Sequence, residues 1–114
     1  MSKELLQQIA YIFSTGNTDQ ADSIFAEHYV DHQKPDWLQS DGPDEFRAVV
    51  AGARNSLPNL HVSVQGVVVA DVGHVAGRLF WSSDNAERET LEILRVENGM
   101  VVEHWGAEAW HKAK

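Results

Sequence analysis

From Glu4 to Ser14 the apolar residues Leu5, Leu6, Ile9, Ala10, Ile12 and Phe13 recur at helical spacing. This predicts an amphipathic helix with Ser2 as its cap and a stop at Gly16-Asn17. A second helix is expected after Thr18, which can cap it, with Asp19 and Asp22 facing the positive end of its dipole and Ala21, Ile24, Phe25 and His28 on one stripe. Tyr29 to Asp41 contains Pro35 and has no period, so it reads as a short extended piece followed by a loop, the kind of segment that often carries function. Gly42-Pro43-Asp44-Glu45 opens a third helix, because proline fits the first helical position and acids favour the first turn. Phe46, Val49, Val50 and Ala53 form its stripe, and Pro58 ends it.

After Pro58 the pattern changes to β-branched stretches, His61 to Ala70, Val75 to Ser83, Glu87 to Val96 and Met100 to Trp110, separated by short turns. Four consecutive strands with connections this short favour antiparallel pairing, and helices grouped ahead of strands indicate an α+β fold. Asn98-Gly99 suits a two-residue hairpin turn with positive φ at both positions. Pairing outward from it by strict alternation sets Arg95, Ile93, Leu91 and Glu89 on one face with Val102, His104, Gly106 and Glu108. The other face then carries Val96, Leu94, Glu92 and Thr90 with Val101, Glu103, Trp105 and Ala107. Neither face is polar enough for water alone. Helices or a cavity are expected over one, and a second copy of the chain over the face bearing Leu94, Val101, Glu103 and Trp105.

The 114 residues suit one domain, residues 1–114, and the 43% hydrophobic content argues against disorder. Nine Lys and Arg against 17 Asp and Glu give a net charge of −8, which repels polyanions and speaks against a nucleic-acid or anionic-membrane partner. There is no cysteine, hence no disulfide, thiolate nucleophile or Cys-ligated zinc, which fits a reducing compartment. The longest apolar run, Val67 to Ala70, is far short of the roughly 20 residues that cross a bilayer, and Gln7-Gln8 interrupts the N-terminus before a signal peptide could develop. A cytoplasmic location is the expectation.

The order of elements, with Tyr29-Val30-Asp31-His32, Gly42-Pro43-Asp44-Glu45-Phe46, Leu57-Pro58-Asn59-Leu60 and the run from Arg95 to Trp105, resembles the SnoaL-like polyketide cyclase family of the nuclear transport factor 2 and ketosteroid isomerase superfamily. The resemblance implies a cone-shaped fold in which a curved antiparallel sheet and three helices enclose a hydrophobic pocket, commonly in a dimer. Relatives include cyclases, isomerases, epoxide hydrolases, dehydratases and proteins without catalysis, so the fold alone does not fix an activity. Family cyclases place an acid/base Asp directly after the His-Trp pair. This chain has Gly106 there.

His104, on a face that the resemblance makes concave, is a candidate general base next to a carbonyl; the competing role is a core histidine bonded to a backbone carbonyl. His32 and Asp31, adjacent in the extended piece, are candidate catalytic groups at the pocket mouth, His32 as an acid, base or donor, or else as a loop anchor. Glu108 is the carboxylate of the same parity as the missing acid and would rise in pKa if buried, unless it shares an exposed sheet end with Glu89. Arg95 and Arg78 are candidates to hold a carboxylate or an enolate oxygen, against an ion pair of Arg95 with Glu87, Glu89, Glu92 or Glu108 and, for Arg78, a solvated strand edge. Among the aromatic residues Trp37, Tyr29 and Phe80 are the candidate ligand contacts. His28, Asp31 and His32 could ligate a metal only if the helix ran through them, so no metal site is expected, and with no phosphate loop no cofactor. Two functions remain: cofactor-free acid/base chemistry on a small hydrophobic carbonyl compound, or a non-catalytic module that binds such a molecule or dimerises, favoured by Gly106.

Overall fold

The computed structural model describes residues 2–34, 36, 38, 41–71 and 73–114. Helix α1 spans Ser2–Thr15 and ends where Gly16, at φ +78°, returns its N–H to the Ile12 carbonyl at 2.7 Å. Helix α2 is a single turn, Ala21–Ile24, capped by Gln20 without a side-chain bond, so Thr18 does not cap it. The chain then becomes strand β1, Phe25–Asp31, where a longer helix was expected. The helical stripe misleads here because Phe25 and Tyr29 are also inward positions of a strand, and the pairing that selects the strand is remote: β1 runs parallel to the last strand, with Asp31 beside His104. Helix α3, Gly42–Ser56, carries Pro43 in its first turn as the sequence predicts.

The remaining strands are β2 (His61–Asp71), β3 (His74–Ser82), β4 (Ala86–Glu97) and β5 (Met100–Ala113). Among the described residues they form one curved, open sheet of order β1-β5-β4-β3-β2, so the expected four antiparallel strands gain a fifth, parallel one at the edge. The three helices lie on one face. Their apolar stripes (Leu6, Ile9 and Phe13 of α1, Phe46 and Val50 of α3) pack with Phe25, Leu79, Trp81, Leu94 and Val101 into one buried core. Aromatic rings dominate it, with Phe25 stacked on Phe46 at 4.1 Å and Phe13 edge-on to Trp81 at 4.8 Å.

The Asn98-Gly99 turn forms as expected, with φ of +51° and +78°. A Cβ at Gly99 would meet nothing within 4 Å, so substitution there strains the backbone alone. Gly99→Val is expected to cost about 1–2 kcal/mol, read as a lower urea midpoint.

Strict alternation holds for only two pairs beyond that turn. Val96 pairs with Val101, but the next pair is Arg95 with Glu103, leaving Val102 as a bulge. Val101 and Val102 are both buried, which two successive residues of a regular strand on a one-sided core could not be. Beyond the bulge every β5 residue changes partner: His104 sits opposite Leu94, Trp105 opposite Ile93 and Gly106 opposite Glu92. A second shift between Glu89 and Thr90 puts Glu108 opposite Thr90 and Trp110 opposite Glu89. The concave, helix-covered face therefore carries Arg88, Thr90, Glu92 and Leu94 with His104, and the convex face carries Leu91, Ile93 and Arg95 with Glu103 and Trp105. This corrects the expected faces. Leu94 and Val101 are core residues, 2% and 0% exposed, and do not share a surface with Glu103 and Trp105.

Candidate active site

Between helices and sheet lies a cavity of about 840 Å³. Leu6, Ile9 and Phe13 line it from α1, Phe46 and Val49 from α3, and Leu79 and Trp81 from β3, giving apolar walls. Its polar groups collect at two ends.

At one end β5 presents His104, whose Nδ1 lies 2.9 Å from Asp31 Oδ1 and whose Nε2 lies 2.5 Å from Glu92 Oε1. Three strands meet here, because β1 is parallel to β5 and ends at Asp31, while β4 aims Glu92 inward. Burial works against a charge on the ring, but the bonds to Asp31 and Glu92 and their negative charge prevail, raising His104 to about 9. At neutral pH it is an imidazolium with both N–H groups donating. Burial likewise opposes ionisation of Asp31, yet the bond to His104 and the Gln33 backbone N–H hold its carboxyl below the ordinary value. Tyr29, 3% exposed, lines the same end and packs on Phe25 at 4.6 Å. Burial, then the charges of Asp31, Glu45 and Glu92, push its phenol far up, so it remains a neutral hydroxyl.

Glu45 belongs to the same neighbourhood. It is 1% exposed, neither carboxylate oxygen has a hydrogen bond among the described residues, and Lys34 Nζ stands 3.6 Å away. Burial and the charge of Asp31 raise its pKa. At the other end Arg88 lies over the Trp81 ring at 4.3 Å and 3.6 Å from Glu108 Oε2, with its buried Nε lacking an acceptor among the described residues, while Trp81 Nε1 donates to Thr90 Oγ1 at 2.8 Å.

The candidates from the sequence thus divide. His104, Asp31, Tyr29 and Glu108 line the cavity. His32 touches its rim, but its ring turns away: Nε2 meets Glu103 Oε2 at 2.7 Å and the imidazole stacks on Trp105 at 5.0 Å. Adjacent residues of β1 and its continuation point to opposite sides, which also separates Asp31 from His32 as metal ligands. Arg95 is bound to Glu103 at 2.7 Å and to Glu97 on the convex face, because the Val102 bulge moved His104 away from it. Arg78 pairs with Glu89 at 3.4 Å and Phe80 packs beside Trp110 at 6.0 Å, both on that same face. None of these three reaches the cavity. Trp37 lies outside the described residues. Sequence reasoning missed Glu92, Glu45 and Arg88. The signal for Glu92 was its parity with Leu94 and Thr90; Glu45 looked like a solvated acid in a first helical turn.

A helical layer over the concave face of an open sheet, with a polar cluster at one end of an apolar cavity, is the nuclear transport factor 2-like arrangement. The family model for SnoaL-like polyketide cyclases matches residues 3–109, and the chain belongs to that family. Solved structures show the same fold. A candidate polyketide cyclase of Bacillus cereus matches with a TM-score of 0.83 at 21% identity, covering 95% of this chain and 74% of the other. IdmH of Streptomyces antibioticus, also a candidate polyketide cyclase, matches with a TM-score of 0.78 at 19% identity, over 96% and 92%. A SnoaL-like polyketide cyclase of Agrobacterium tumefaciens matches with a TM-score of 0.77 at 12% identity, over 95% and 91%. No curated protein matches the sequence. Among the described residues no helix is long and apolar enough to cross a membrane.

Proposed function

We propose that this protein performs cofactor-free acid/base chemistry, of the aldol cyclisation, isomerisation or hydration type, on a small hydrophobic carbonyl compound held in the cavity. The observation that carries the reading is His104 clamped between Asp31 and Glu92 at the end of an apolar chamber. Two carboxylates supply a base, and the imidazolium supplies positive charge where an enolate would develop, in surroundings too dry to screen it. The histidine is therefore the electrostatic and acid partner, whereas the sequence suggested a neutral base. Phe13 and Trp81 offer flat apolar contact to the ligand body and Leu79 an aliphatic one, and the Nε–H of Arg88 offers an anchor for a ligand oxygen at the far end.

The simplest reporter is exchange of the α-protons of 2-tetralone, an apolar bicyclic ketone, followed by NMR in D₂O. The protein is expected to accelerate deuterium uptake, and His104→Ala is expected to lower kcat/KM by roughly 100-fold or more. Quenching of tryptophan fluorescence by the ketone without any exchange above the buffer rate would support the binding-module reading, which Gly106 favours.

We also propose a homodimer, through the convex face and not the one expected from strict alternation. There Leu91, Ile93 and Trp110 are 49%, 43% and 42% exposed, more apolar surface than isolated residues normally present. Arg78, Glu89, Arg95 and Glu103 alternate around it, which suits a two-fold, self-complementary contact. Light scattering is expected to give twice the chain mass, and Ile93→Asp the single-chain mass.

A further inference from the structure

We propose that Glu92 is the residue that accepts the substrate proton, and that Gly106 makes the room that lets it do so. The inference rests on the acid/base reading above and assigns the step to one side chain.

Of the groups that line the cavity, His104, Asp31, Glu108 and Glu92 compete for the role. His104, donating through both ring nitrogens, has no lone pair to offer. Asp31 already accepts two bonds at Oδ1, from His104 Nδ1 at 2.9 Å and from the Gln33 backbone N–H at 2.8 Å. Those partners stabilise its charged form and weaken it as a base. Glu108 lies at the other end, beside Arg88. Glu92 engages His104 through Oε1, and its Oε2 has no hydrogen bond among the described residues while the side chain lines the cavity.

Glu92 can hold that position because its cross-strand partner is Gly106. A Cβ at residue 106 would stand 2.7 Å from Glu92 Oε1 and 2.6 Å from Gln33 Oε1, closer than atoms of this kind pack. Both obstructing atoms are ends of flexible side chains, so a larger residue would displace the carboxylate and leave the backbone in place. The carboxylate of β4 and a side chain at 106 on β5 exclude each other. The lack of an acid at 106 is then compatible with catalysis, since the acid is delivered from the neighbouring strand.

In the step itself, a C–H bond next to the ligand carbonyl breaks, its proton passes to Glu92 and its electron pair becomes an enolate. The cluster of Asp31, His104 and Glu92 changes from a net charge of −1 to zero as the enolate gains its charge. The enolate carbon then bonds to a second carbonyl of the same molecule, and the resulting alkoxide takes the proton from Glu92, so nothing else is consumed. With a single carbonyl the proton returns to carbon, and in D₂O the return is seen as deuterium.

The test uses 2-tetralone exchange together with an NMR titration of His104, on variants whose far-UV circular dichroism matches the parent. Glu92→Gln is expected to slow exchange roughly 100-fold or more, the effect of losing a general base. Gly106→Ala is expected to slow it about tenfold and to lower the His104 titration from about 9, because Glu92 is pushed off the ring, while Asp31, still bonded to Nδ1, keeps it above the ordinary 6.5. The double variant Glu92→Ala with Gly106→Asp returns a carboxylate from β5 and is expected to recover exchange to within about tenfold of the parent. Parental exchange in Glu92→Gln, with loss in Asp31→Asn, would overturn the proposal and leave the acid/base reading intact. An unmoved His104 titration in Gly106→Ala would overturn the role given to Gly106. No exchange above buffer by the parent protein would overturn both.

Discussion

Stability is expected to fall by about 3 kcal/mol as the pH is raised from 6.5 through 9, because His104 folds as an imidazolium. Its pKa rises from 6.5 in the unfolded chain to about 9 in the native one. A group whose folded pKa is raised contributes stability that is fully present below the unfolded value and is lost as pH climbs through the folded value. At 1.36 kcal/mol per pH unit the interval of 2.5 sets the size of the effect. Urea denaturation at half-unit steps from pH 6 to 10 reads it directly, and in His104→Gln this alkaline limb is expected to flatten. A profile equally steep in the variant would mean that the proton binds elsewhere. Asp31 acts in the opposite direction. Its lowered carboxyl contributes above the ordinary value of 3.8 and is lost as the solution is acidified, so the ion cluster is weakened from both sides.

Leu94→Ala is expected to cost about 2–5 kcal/mol of unfolding free energy with no change in assembly state. Leu94 is 2% exposed, opposite His104 on the helix-covered face. Deleting its branched end opens a void in the buried cluster that a packed core can only partly close. Ile93, one residue earlier on the same strand, is 43% exposed and faces away from the core. The two substitutions Leu94→Ala and Ile93→Asp therefore separate core from surface. Chemical denaturation gives the first number and light scattering the second. Dissociation by Leu94→Ala, with stability unchanged, would restore the faces that strict alternation suggested and contradict the bulge at Val102.

The sequence by itself determined what depends on near neighbours. The stripe of α1, Pro43 at the start of α3, the change to alternating β-branched residues after Pro58 and the Asn98-Gly99 turn each follow from backbone sterics or from a period readable within a dozen residues. So did the α+β order, since grouped helices followed by short-linked strands admit few arrangements. The tertiary structure decided what depends on remote partners. Phe25 to Asp31 is a strand only because the edge of β5 offers unpaired backbone groups to it. The bulge at Val102 exists because Val101 and Val102 both find the core, a gain that no local period encodes. That single unpaired residue shifted the phase of β5, which put His104 on the side of Glu92 and away from Arg95. His104 reached the concave side by a register different from the one its alternation predicted. A one-residue slip exchanges the two faces of every residue beyond it, so turn chemistry fixes where a hairpin starts, whereas the packing of distant helices fixes which side chains it delivers to the cavity.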